Sequence, residues 1–109
     1  MDKRSQELIR YLLEATDYPE VSGFELLEVL DIRTRLAPRE PLLIGNDRDL
    51  LEKVDKRLLQ MTDVFLERIS KVANLCEMRH RSHILPSHWW WYLDEISLSK
   101  SKVVDTSQQ

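Results

Sequence analysis

Apolar residues return along this chain every three or four positions and seldom alternate. That spacing predicts amphipathic helices and no sheet. Leu8, Ile9, Leu12 and Leu13 mark the first, from Asp2 or Ser5 to Thr16. Tyr18-Pro19 should end it, because a residue before proline is pushed away from helical angles. Ser22 and Glu25 have the spacing of a capping box and open a second helix. Phe24, Leu26, Leu27, Val29, Leu30, Ile32 and Leu36 give it a wide apolar face, and Pro38 should close it. Residues 37–45 hold two prolines and a glycine and read as a connector, with Leu42, Leu43 and Ile44 tucked against the body.

The third helix is expected to be the longest, from a cap at Asn46 or Asp47 to about Arg81, roughly 33 residues and about 50 Å. Leu51, Leu58, Phe65 and Val72 are spaced by seven, and Val54, Met61, Arg68 and Leu75 interleave with them. This is a heptad pattern with one polar exception, Arg68. Leu50, Val64, Ile69, Ala73 and Cys76 widen the stripe. Asp49–Lys53, Glu52–Lys56, Glu67–Lys71 and Glu77–Arg81 are oriented for i, i+4 pairing on the outer side. After a turn through Pro86, Ser87 can cap a short aromatic helix from His88 to about Leu98, with Leu93 and Ile96 facing inward. The expected fold is therefore all-α: a small bundle built on one long central helix (about 47–81), two short N-terminal helices and a short aromatic C-terminal one. Residues 1–98 form one domain, and 99–109 read as a disordered tail.

Composition supports this. Two glycines and four prolines in 109 residues are too few for a sandwich or barrel. The net charge is −3 and the pI near 5.6, which argues against a general nucleic-acid binder. Charge is uneven: no Lys or Arg lies between Arg10 and Arg33, where Glu14, Asp17, Glu20, Glu25, Glu28 and Asp31 fall. One cysteine, Cys76, permits no internal disulfide and suits a reducing compartment. No signal-like or membrane-spanning run is present. A cytoplasmic protein is expected.

Trp89-Trp90-Trp91-Tyr92 follows a basic stretch, Arg79-His80-Arg81-Ser82-His83. Four consecutive rings sweep most of a helix circumference, so one small core cannot take them all on one side. A 50 Å helix also outruns two short partners and leaves apolar width in water. Both points favour a homodimer with the long helices paired antiparallel. The expected role is a non-enzymatic protein-binding or assembly module, with Arg79, Arg81, Trp89, Trp90, Trp91 and Tyr92 as the partner surface. Trp, Tyr and Arg are the residue types that carry interface energy. The alternative is a regulatory nucleic-acid binder using the same Arg/His/Trp patch.

Metal binding is a third reading. Cys76, His80, His83 and His88 lie within thirteen residues, and one thiolate with three imidazoles could bind zinc. The spacing matches no standard zinc module, and Cys76 also fits the apolar stripe. No metal or other cofactor is expected. No phosphate-binding glycine loop, CxxC or catalytic signature is present.

Overall fold

The computed structural model describes residues 3–17 and 22–99, and all regular structure among them is helical. The elements are α1 (Lys3–Asp17), α2 (Gly23–Leu36), a 3₁₀ helix (Ala37–Leu42), α3 (Asn46–Gln60), α4 (Thr62–Ser70), α5 (Leu75–Ser82), a 3₁₀ turn (Trp89–Trp91) and α6 (residues 93–99). The all-α bundle is as expected. The expected end of the first helix at Tyr18-Pro19 and most of the expected tail lie outside the described residues.

The centre of the fold is α2 and not a long third helix. α1, α4 and both 3₁₀ segments pack against it. Its inner line carries Leu26, Val29, Leu30 and Leu36, all at most 1% exposed. Ser22 caps its start, with Oγ accepting from the Glu25 N–H at 3.3 Å. Gly23 lies so close to α4 that a Cβ would stand 2.3 Å from the Arg68 carbonyl oxygen. Only glycine allows that approach. α2 runs antiparallel to α3 and α4, since Gly23 meets Arg68 while Arg33 meets Asp55. α1 runs alongside α3 in the same direction. Residues 6–13 line a groove with Asn46, Asp47 and Leu50. Farther along, Arg57 donates to the Leu13 carbonyl at 3.0 Å, capping the last turn of α1.

The expected 47–81 helix is broken twice. At Met61 the backbone leaves helical angles (φ −101°, ψ 17°), and the Thr62 hydroxyl donates back to the carbonyls of Leu58 and Leu59 at 3.2 and 2.8 Å. A threonine that bonds backward in this way bends helices. The second break falls at residues 71–74. Asn74 takes the role of N-cap for α5, its side chain accepting from the Glu77 N–H at 3.1 Å. Asn is a strong cap former, and the chain restarts there in a new direction.

The buried line of α3 and α4 is Leu51, Val54, Leu58, Thr62, Phe65 and Ile69. Its five steps cover eighteen residues, the 3.6-residue period of a straight helix and not the 3.5 of a supercoil. Met61 moves to the edge of the core, Arg68 and Val72 fall off the buried line, and Ile69 joins it. Of the four expected i, i+4 pairs only Glu67–Lys71 closes within 4 Å among the described residues. At 3.9 Å, with both side chains 72% exposed, it contributes little.

The connector also differs. Residues 37–42 form a 3₁₀ helix, which Pro38 favours because its ring pre-sets φ near the required value. Leu43 is buried, but Leu42 and Ile44 are each 71% exposed, so one leucine of the trio anchors the segment. Gly45 then turns the chain at φ 57°, ψ −127°, a conformation closed to other residues without strain. α3 begins at Asn46, directly after it.

Candidate functional site

The aromatic run is mostly structural. It forms a 3₁₀ turn and not the first turn of an α-helix, which lets two consecutive indoles point inward. Trp90 is 1% and Trp91 7% exposed. Both indole N–H groups donate to one atom, Thr34 Oγ, at 2.9 and 2.7 Å. The same hydroxyl donates to the Leu30 carbonyl at 2.9 Å. One hydroxyl has two acceptor lone pairs and one proton, so this Thr34 is fully used. Trp89 is half-buried and meets Trp90 edge-on at 5.6 Å. His88 stacks on Trp90 at 4.9 Å with an interplanar angle of 17°.

Beside them lies Arg33, 1% exposed. Its Nε and one terminal nitrogen bond both carboxylate oxygens of Asp55, at 2.9 and 3.0 Å. That terminal nitrogen also donates to Glu40 at 2.8 Å. The guanidinium carbon sits 4.2 Å from the Trp90 ring centre. Burial penalises the cation, but the bonds and charges of Asp55 and Glu40 outweigh it and raise its pKa. Arg33 stays charged and ties α2, the 3₁₀ connector, α3 and Trp90 together. Its place was legible in part, since it continues the Leu26, Val29/Leu30 inner line of α2 by helical spacing. Its partners, 7 and 22 residues away, were not. Thr34 left no signal in the sequence.

Arg79 is a second clamp. It donates to both carboxylate oxygens of Asp94 and to the Trp91 carbonyl, the latter at 3.0 Å. Its guanidinium carbon lies 4.6 Å from the Tyr92 ring centre. Burial pushes the Asp94 carboxyl up, but the Arg79 hydrogen bonds and charge, with backbone N–H groups at the start of α6, hold it below the usual carboxylate range. The Tyr92 hydroxyl donates to the Ile84 carbonyl at 2.7 Å. α5, the loop after it and α6 are thereby fixed to one another. His83 closes α5 in the left-handed region at φ 51°.

The result is an open cleft of about 790 Å³ along α5, lined by Cys76, Glu77, Arg79, His80, Arg81 and Tyr92. Three of the six residues expected to bind a partner, Arg79, Arg81 and Tyr92, line it. Trp90 and Trp91 are drawn into the core, and Trp89 buttresses them. Arg79 spends its donors within the chain. Arg81 and His80 are exposed and form no ion pair among the described residues. Cys76 is a free, exposed thiol and not part of the core stripe, because the restart at Asn74 turns it outward. Among the described residues no three His, Cys, Asp or Glu side chains gather as a metal site would need, so Cys76, His80, His83 and His88 do not converge. No described helix is long and apolar enough to cross a membrane.

No family model matches the chain, and neither the curated proteins nor the solved structures compared with it include a match.

Proposed function

We propose that this chain is a protein-binding module without chemistry of its own, and that the α5 cleft is its docking surface. The observation that carries this reading is the cleft itself. It offers an aromatic face in Tyr92, the exposed cation of Arg81 with the exposed ring of His80 beside it, and walls held in place by the Arg79–Asp94 clamp. A pre-organised surface loses less freedom on binding. Its volume falls within the roughly 300–1,000 Å³ typical of ligand sites, yet it is open, which suits a side-chain patch better than an enclosed small molecule. The complementary partner carries carboxylates and an aromatic or aliphatic anchor. The free, exposed Cys76 fits a reducing cytoplasm, where we place the protein.

The test is chemical-shift mapping on ¹⁵N-labelled protein with three probes: a short peptide of glutamates around one phenylalanine, its lysine counterpart, and oligothymidylate. Shifts at residues 76–81 and 92 with the acidic peptide, lost in Arg81→Glu, support the reading. Shifts with oligothymidylate that fade steeply with salt would favour the nucleic-acid alternative. Silence with all three would remove the cleft as a docking surface.

A further inference from the structure

The chain carries a surface that matches its own cleft. On the outer line of α2, Phe24 is 68% exposed, and Glu25 and Glu28 beside it are exposed as well. Tyr11 of α1, 36% exposed, stands next to them. α1 packs against α2, and burial and then the charges of Glu28 and Glu25 raise the Tyr11 pKa. Neither glutamate side chain forms an ion pair among the described residues. Two uncommitted carboxylates thus flank two exposed aromatic rings, in the stretch from Arg10 to Arg33 where no Lys or Arg interrupts them.

We propose that the α5 cleft docks the Tyr11–Phe24–Glu25–Glu28 face of a second copy, so that copies associate head to tail. This rests on the reading of the cleft as a docking surface. The face brings carboxylates to Arg81 and a ring to Tyr92, and Glu77 is the one carboxylate in the cleft lining. Arg81 meets Glu25 and Glu28, and Phe24 leaves water against Tyr92, the His80 ring and the aliphatic stems of the cleft. The net charge of −3 repels copies at long range, but at about 0.1 M salt that repulsion is screened beyond ~10 Å and the local match decides. Because two different patches meet, the contact is heterologous and leaves one free cleft and one free face at the ends of each assembly. An interface built on one exposed ring and one arginine between two carboxylates is weak, so association should depend on concentration and salt.

The expected homodimer rested on the aromatic run, two rings of which the chain buries itself, and on a 50 Å helix with uncovered apolar width. That helix is broken and its buried line is covered, so pairing of long helices is no longer available. Complementarity between two patches takes its place as the ground for self-association.

Light scattering over a concentration series tests this with three proteins: the native chain, a cleft variant (Arg81→Glu), and a face variant (Phe24→Ala with Glu28→Gln). All three substitutions are at exposed positions, and circular dichroism checks that the fold is kept. The native chain should rise above 13.0 kDa with concentration at low salt and fall back at high salt. Each variant alone should stay at 13.0 kDa. Mixed in equal amounts, they should form a heterodimer of twice that mass and nothing larger, since only one intact cleft can meet one intact face. Variants that assemble like the native chain overturn the proposal, as does a mixture that stays monomeric. A native chain that is monomeric at millimolar concentration also overturns it. In that case, binding of the acidic peptide at residues 76–81 would leave the docking reading standing, and its absence would remove both.

Discussion

Thr34→Val tests the central claim about the aromatic run, that a single hydroxyl holds two tryptophans inside. Valine keeps the shape and the helix propensity of threonine but has no acceptor. In the native chain Thr34 Oγ receives the indole N–H groups of Trp90 and Trp91 at 2.9 and 2.7 Å. Without it, two donors are stranded at sites 1% and 7% exposed. Each buried, unmatched donor costs about 1–3 kcal/mol. Slight water access at Trp91 and the smaller cost of burying valine reduce the sum, to about 2–4 kcal/mol. That is a large share of the roughly 5–15 kcal/mol that holds a domain of this size. Thr34→Ser is the control. It keeps the hydroxyl and removes one methyl, and should cost no more than about 1 kcal/mol. Urea unfolding followed by circular dichroism and tryptophan emission reads both. If valine costs no more than serine, the shared hydroxyl is not what organises the turn, and the reasoning fails.

Other consequences follow from single positions. Gly23→Ala should destabilise by about 1–3 kcal/mol despite alanine's better helix propensity, because its Cβ would meet the Arg68 backbone at 2.3 Å. A gain in stability on urea unfolding would show that α2 and α4 are not in such close contact. His83→Gly should stabilise by about 0.5–1 kcal/mol, since His83 is exposed and held at φ 51°. An unchanged melting temperature would count against that cap. Asp94 has a folded pKa below its unfolded one, so its contribution is present at neutral pH and lost as pH falls below about 4. Asp94→Asn should therefore lower stability at pH 7 and flatten its fall in acid, read as melting temperature against pH. Parallel curves for the two proteins would mean the Arg79 clamp is not formed.

Helix content, the capped start of α2 at Ser22 and the core positions of α1 were all legible, because they depend on local spacing and local hydrogen bonds. Ser22 needs only Glu25, three residues on, to act as a cap. The breaks at Met61 and Asn74 were legible in kind and missed in fact. Thr62 and Asn74 are both residues that bond nearby backbone, but a run of apolar residues at seven-residue spacing outweighed them. The heptad itself was ambiguous, since Leu51, Val54, Leu58 and Phe65 satisfy periods of 3.5 and 3.6 equally well. Only burial in the folded chain, complete at Ile69 and partial at Val72, separates the two.

Local spacing alone gave a helical chain with an acidic stretch and an aromatic, basic end, and it marked Arg79, Arg81, Trp89, Trp90, Trp91 and Tyr92 together as surface. The tertiary fold sets which rings enter the core. The four aromatics in a row could not share one side of a helix, but a 3₁₀ turn, a threonine 56 and 57 residues away and a buried arginine drew two of them inside. The physical reason is range. Helix periodicity is written within a few residues. The acceptor for an indole N–H and the carboxylates for a buried guanidinium come from wherever the folded chain brings them.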